Sequence, residues 1–283
     1  MSMQPKFWTV SFSGAGLLLS YHLGVAKVLL QKSPLPFPIR AVAGSSSGAI
    51  AATFVSLLPH RLDEYTDRFL HNGGAGLSLM MDMIQSEPMS TASTLSLTRP
   101  DLFICTTKSM DGSMHLFRFD STTNTQQQEQ FELLLRAIHA SCMIPKSFHP
   151  YDVFSTRPPS YPDGVEIDGE LYCDGGISEP APPTPMDSDP HCSKHIIISP
   201  ISGPTTKDFN HASIRPTDHS FALPFVLTSR SGSFHVKPSL QNLRAAFASI
   251  GATTPDVLKS WYQRGMDDTG AFLGPAMEEN VPR

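Results

Sequence analysis

The amino-acid sequence predicts an α/β fold with a mostly parallel sheet, and three observations carry that prediction. A strand, a glycine turn and an apolar helix follow one another twice within about the first sixty residues, the signature of parallel strands joined by crossover helices. Short β-branched runs return downstream, again alternating with helical patterns. No apolar run approaches the ~20 residues that span a bilayer.

In order, residues 7–12 (FWTVSF) read as a buried strand, broken by Gly14-Ala15-Gly16. Leu17 to Gln31 then runs at helical spacing and is ended by the cluster SPLPFP at 33–38. Ile39 to Ala43 is a second strand, cut by GSSSG, and Ala49 to Leu58 a second helix. Leu102 to Thr107 and Met114 to Phe119 form a hairpin around Asp111-Gly112. Phe131 to Ser141 is an amphipathic helix with Leu133, Leu134, Ala137 and Ile138 facing the core. Val165 to Cys173 is a tight hairpin through Asp168-Gly169 that leads into Asp174-Gly175-Gly176, and His195 to Ser199 is another buried strand. The intervening PAPPTPMDSDP (180–190) reads as an irregular, mobile loop. Helical patterns close the chain at Ser239 to Ile250 and Pro255 to Arg264.

Composition narrows the function. The chain has 283 residues, 40% of them hydrophobic, which suffices for one large α/β domain. A net charge of −5 offers no basic field for nucleic acid. Charged residues make up only 17%, against a usual share of about a quarter, which suits a lipid interface. Cys105, Cys142, Cys173 and Cys192 match no zinc or thioredoxin-like spacing and read as reduced thiols. Lys6 and the apolar residues after it imitate a signal peptide, but SFSGAG is too polar for its core, so the chain reads as unsecreted.

Gly44-Ser45-Ser46-Ser47-Gly48 is the only G-x-S-x-G and selects Ser46 as a nucleophile. A serine on a sharp strand-to-helix turn needs small neighbours, and the helix behind it favours the anion that forms. A glycine- and serine-rich helix cap would look the same. Gly14-Ala15-Gly16 can turn backbone N–H groups outward as an anion nest, for an oxyanion or a phosphate. It lacks the Lys-Ser/Thr ending of a P-loop and the third glycine of a dinucleotide fingerprint.

The base that Ser46 requires is open between a histidine and a carboxylate. Ten histidines follow Ser46, but only one strand-helix unit precedes it, fewer than an α/β-hydrolase with a Ser-His-Asp triad places there. Among the Asp-Gly pairs, Asp111, Asp163 and Asp168 read as turns. Asp174 ends a strand and precedes two glycines, which would leave its carboxylate projecting beside another element.

These motifs in this order resemble the patatin-like phospholipases, in particular the adipose triglyceride lipase branch. SFSGAGLLLSYHLGVAKVL is similar to the branch's oxyanion segment, AVAGSSSGAI to its nucleophile elbow, and ISEP after DGG, ISPISG at 198–203 and SLQNLRAAF to later segments. The likeness runs in patches from Phe7 to about Leu273. It implies a three-layer α/β/α fold with a mostly parallel central sheet in a single catalytic domain over 1–283, its core about 7–205 and a C-terminal helical extension about 219–273. It also implies a lipid acyl hydrolase, a triacylglycerol lipase or phospholipase A, with a Ser46–Asp174 dyad in direct hydrogen bond. The oxyanion donors would be the N–H groups of Gly14, Ala15 and Gly16, with Ser47 as a further one. ASCMIPKSFHP (140–150) is similar to the segment lining the acyl pocket, which makes Cys142, Met143, Ile144 and Pro145 substrate contacts. Leu18 stands where patatins proper have a basic residue, which the triglyceride lipase branch also lacks, and Leu19 where both branches keep a glycine, so altered packing more than lost catalysis is expected at Leu19. No metal or organic cofactor is implied; the partners are a glycerolipid or phospholipid and a peripheral membrane or lipid-droplet surface inside the cell. The two other readings are an esterase with a Ser-His-Asp triad and a silent lipid-binding protein on a lipase fold.

Overall fold

The computed structural model describes residues 6–278 apart from 32–34, 36, 73–75, 87–98, 120–126, 158, 205–210, 233 and 252. Its elements run β1 (Phe7–Phe12), α1 (Leu19–Gln31), β2 (Ile39–Ser45), α2 (Ser47–Ser56), α3 (Leu62–His71), α4 (Gly76–Gln85), β3 (Asp101–Lys108), β4 (Met114–Phe119) and α5 (Gln127–Cys142). They continue with β5 (Val165–Ile167), β6 (Glu170–Asp174), a single helical turn at Gly175–Ser178, β7 (Cys192–Ile198), β8 (His211–Ile214), β9 (Leu227–Thr228), β10 (His235–Val236), α6 (Leu240–Ile250) and α7 (Pro255–Glu278).

The eight-stranded sheet has the order β5-β6-β3-β2-β1-β7-β8, with β4 also paired to β3. From β3 across to β8 every pairing is parallel, whereas β4, β5 and β6 join antiparallel. The expected α/β class with a mostly parallel sheet is therefore what this sequence forms. All six residues of β1 are buried, as a central strand with both faces covered requires.

The faces are covered differently. Trp8, Val10, Phe12, Val42, Ile104 and Ile196 point into the main core, where α1, α2, α3, α5 and α7 pack. On the opposite face Ala41, Ala43 and Phe103 meet Met186, and Ala181 packs on Ile197 and Phe234. The loop expected to be mobile is thus a covering layer. It has no regular structure but is fastened by hydrogen bonds: Ser11 Oγ to Pro182 O at 2.6 Å, Ser45 Oγ to Pro180 O at 2.8 Å, and Thr9 Oγ1 to Asp187 Oδ1 at 2.6 Å. Prolines there offer carbonyls without an N–H that would itself need a partner.

Elsewhere the differences are local. Helix α2 begins directly at Ser47, and all ten of its residues are buried. Helix α3 is unanticipated although Leu62, Tyr65, Thr66, Phe69 and Leu70 give it a clear inward face. Ser33, Pro34 and Pro36 of the helix-ending cluster lie outside the described residues.

Helix α7 runs on past Arg264 to Glu278, through Gly265. That glycine reads as a helix end but serves a crossing: a Cβ on it would lie 2.2 Å from Tyr21 O, and a Cβ on Gly24 of α1 would lie 2.1 Å from Tyr262 O. The two backbones touch, and Tyr21 Oη donates to Asp268 Oδ2 at 2.9 Å beside them. Gly265→Ala should therefore destabilise by roughly 1–3 kcal/mol or more through overpacking. Gly270→Ala on the same helix, where a Cβ meets nothing within 4 Å, should stabilise by about 0.5–1 kcal/mol through helix propensity. Urea denaturation of the two variants reads the opposite signs directly.

Candidate functional site

The C-terminal ends of β1, β2 and β6 converge on one cleft, where open α/β sheets hold their ligands. Ser46 stands between β2 and α2 with φ 53° and ψ −132°. Among the described residues only Asp168 shares a positive φ without being glycine, and it sits with Gly169 in the β5–β6 turn. Strain of this kind persists only where surroundings impose it. Here they do: a Cβ on Gly44 would lie 2.2 Å from Gly48 O, and one on Gly48 would lie 2.3 Å from Phe12 O. The motif's glycines thus allow the turn to close on itself and to press against the end of β1. Ser46 N donates to Ser141 Oγ at 2.8 Å, and Ser141 Oγ donates to Cys105 O at 2.6 Å, so α5 and β3 hold the turn from the side.

Asp174 ends β6 and is only 6% exposed. Its N–H donates to Met143 O at 2.8 Å and its carbonyl accepts from Thr107 Oγ1 at 2.7 Å, which fixes the backbone. Gly176 N donates to Oδ1 at 2.8 Å. Gly175 permits the approach, since a Cβ there would lie 2.1 Å from Cys105 O. Burial pushes the carboxyl up to about 6, against the opposing influence of the nearby Ser46 hydroxyl and the Gly176 N–H. The structure thus brings Ser46 and Asp174 together. Asp111 accepts from Ser113 in its turn and Asp163 accepts from Lys146 N, and neither they nor Asp168 line the cleft.

The four expected oxyanion donors divide into two pairs. Gly14 N donates to Pro180 O at 3.0 Å and Ala15 N to Ser47 Oγ at 3.1 Å, so both are spent inside the protein. Gly16 and Ser47 have no such bond through their N–H groups among the described residues. Gly16 has φ 53°, and a Cβ on it would lie 2.2 Å from Ser249 O of α6. Leu18 and Leu19, the departures from the family pattern, are both fully buried; Leu18 packs with Ala15 and Ala245, and Leu19 joins the main core.

The cleft holds about 660 Å³. Of the expected acyl contacts, Cys142 and Ile144 line it. Met143 and Pro145 do not: past the end of α5 the chain alternates sides, and Met143 packs instead against Tyr161, Cys173 and Ile177. Burial and the neighbouring Asp174 carboxylate raise the Cys142 thiol far above its ordinary value, so it is a wall and not a thiolate. Phe148, from the 140–150 segment itself, adds to the apolar lining, as do Phe154 and Phe234 from irregular segments without periodicity and Ile250 from the tip of α6, none of the three foreseen as a substrate contact. Ser141 was within reach, being part of the ASCMIP segment. Among the described residues no histidine lines the cleft; His22 is buried against Phe12 with Nε2 on Ser13 O, and burial lowers it to about 4. Among the described residues no His, Cys, Asp or Glu cluster could hold a metal ion, and no helix is long and apolar enough to cross a membrane.

Comparison with known proteins gives a family and a relative. The profile of the patatin-like phospholipases matches residues 10–187. The human patatin-like phospholipase domain-containing protein 4 is 25% identical over 281 residues, which cover 95% of this chain and 97% of that protein. Among solved structures, VipD of Legionella pneumophila superposes with a TM-score of 0.41 at 12% identity, over 94% of this chain and 67% of its own. ExoU in its complex with SpcU, of Pseudomonas aeruginosa, gives 0.41 at 12% over 97% and 52%.

The Asp174 environment has a cost that can be measured. Its raised carboxyl favours the folded state fully below the unfolded value near 4, and that stability is lost as pH rises through about 6. Asp174→Asn keeps an acceptor for Gly176 N–H and removes the charge. It should raise stability at pH 7.5 by roughly 2–3 kcal/mol, with the gain vanishing near pH 4, as thermal unfolding at the two pH values will read.

Proposed function

This chain belongs to the patatin-like phospholipase family, and from that premise we propose that it hydrolyses carboxylic esters of lipids through an acyl-enzyme on Ser46, with Asp174 as the base. The observation that carries the reading is the buried Asp174 carboxylate sharing with Ser46 an apolar cleft that, among the described residues, no histidine lines. A free carboxylate is a weak base; one raised to about 6 takes a proton far more readily yet is still ionised at pH 7.

In the proposed reaction Ser46 Oγ bonds to the ester carbonyl carbon as its proton passes to Asp174. The oxyanion lies against the N–H groups of Gly16 and Ser47, at the positive end of α2. Collapse breaks the bond to the alcohol, which leaves with the proton from Asp174. Water then enters, gives a proton to Asp174 and attacks the acyl carbon, releasing the acid and restoring Ser46. Cys142, Ile144, Phe148 and Phe154 hold the acyl chain, while Gly14 and Ala15 position the loop that carries Gly16. The resemblance to the triglyceride lipase branch favours neutral glycerolipids, with phospholipids as the nearest competitor.

Hydrolysis of p-nitrophenyl butyrate should fall by roughly 10³-fold or more in Ser46→Ala and in Asp174→Asn. A fluorophosphonate should label wild type at Ser46 alone. The rate should rise with pH and level off above about 6, since the ionised carboxylate is the active form. Full activity in Ser46→Ala rejects the nucleophile, and loss of activity on replacing a single histidine rejects the two-residue reading. Wild type inert toward this ester and toward emulsified lipid is the outcome expected of a silent lipid binder.

A further inference from the structure

Helix α6 turns an apolar stripe outward. Leu240, Leu243, Phe247 and Ile250 recur at spacings of 3, 4 and 3, one face of a helix, and are 49, 53, 66 and 79% exposed. Its buried side carries only Asn242 and Ala245, and Asn242 is occupied with the Ser202 and Lys237 backbone. Beside the stripe the segment 221–226 exposes Phe221 (73%), Leu223, Phe225 and Val226. The two strips are fixed as one surface: Leu240 N donates to Phe221 O at 3.1 Å and Leu223 N to Pro238 O at 2.8 Å. Behind them Asp218 accepts from Ser202, Ser220 and Ser239. These hydrogen bonds overcome burial and hold its carboxyl at about 2, and in the pocket it lines with Phe225 and Val226 the cation of Lys237 also stands.

Between the strips lies an apolar groove of about 450 Å³. Leu227 belongs to both the groove and the cleft, and Ala246 and Ile250 of α6 also line the cleft. The apolar surface therefore runs without a break from solvent to the rim of the proposed catalytic site. A patch of this extent marks an interaction site.

The charge pattern selects its partner. Although the chain carries −5 overall, no Asp or Glu occurs between His219 and Pro255; Lys237 and Arg244 are exposed there, while the Arg230 guanidinium is turned onto Gly112 O of the β3–β4 turn. Arg244 lies one turn from both Leu240 and Phe247 and edges the stripe. Two copies of this face would oppose cation to cation, whereas anionic headgroups supply the missing charge. We propose that this surface seats the protein on an anionic lipid surface, with α6 lying along the interface and the cleft opening toward the lipid. The proposal rests on the lipid-hydrolase reading for the meaning of the cleft, but the docking itself does not require turnover.

The test uses full-length protein carrying Ser46→Ala, sedimented with vesicles of phosphatidylcholine alone and of phosphatidylcholine with phosphatidylserine. Binding should be stronger to the anionic vesicles. Adding Leu243→Ser and Phe247→Ser should weaken it roughly tenfold or more, and Arg244→Glu should weaken it roughly fivefold on the anionic vesicles alone. In an otherwise wild-type chain Leu243→Ser with Phe247→Ser should leave turnover of dissolved p-nitrophenyl butyrate unchanged, which shows that the fold and cleft are intact. Vesicle binding that persists in the double variant overturns the proposal. So does a wild type that is dimeric without lipid and becomes monomeric in that variant. Vesicle binding lost in the double variant, together with a wild type unable to cleave either the dissolved ester or emulsified lipid, supports the surface while removing the hydrolase reading.

Discussion

The site depends on one backbone crossing, the contact of the Gly44–Gly48 turn with the end of β1. The missing side chains at Gly44 and Gly48 let carbonyls of Gly48 and Phe12 occupy the space where a Cβ would be. That contact holds Ser46 at a positive φ, which a serine in a free loop would leave. It also starts α2 at the next residue and so aims the helix N-terminus into the cleft. Ser141 from α5 and Pro180 from the far covering layer then lock the strand end, so the turn is gripped from both faces of the sheet.

The second element of the site is electrostatic. Burial raises Asp174, while the Gly176 N–H and the Ser46 hydroxyl oppose the rise without cancelling it. The balance leaves a group that is ionised at neutral pH yet basic enough to take a proton, and the fold bears the cost of the buried charge. Pro180 serves this arrangement at a distance. Its carbonyl accepts from both Gly14 N–H and Ser45 Oγ, joining the loop after β1 to the end of β2 just beside the residues that follow Asp174.

Much of the fold was legible because its strands and first two helices are short, apolar and punctuated by glycine or proline. Ser46 and Asp174 were legible for the same reason: each lies where a periodic segment stops at glycines. Other features were hidden by signals with two meanings. Gly265 reads as a helix end from local propensity but lies mid-helix because α1 comes against it. Residues 180–190 read as a loop and are one, yet hydrogen bonds separated by well over a hundred residues pin them, and no local pattern encodes that. Gly14 and Ala15 show the same limit at the site itself. Glycine-rich backbone can present an N–H, but which amides stay open is decided by partners elsewhere, Pro180 and Ser47.

The α1–α7 crossing and the central place of β1 have a consequence for how the chain reaches this state. β1 is joined on one side by β7, with Val10 opposite Ile196, and α1 is covered by a helix that extends to Glu278. β1 and α1 therefore meet β2 and α2 early but acquire β7 and α7 only late in synthesis, and Trp8 waits for Phe272. Contacts so distant in sequence make folding slow and leave apolar surface uncovered in the interval. During synthesis β1, α1 and α2 would be natural targets for chaperones, and a premature stop within α7 should deplete the protein from the cell although every residue of the site had already been translated.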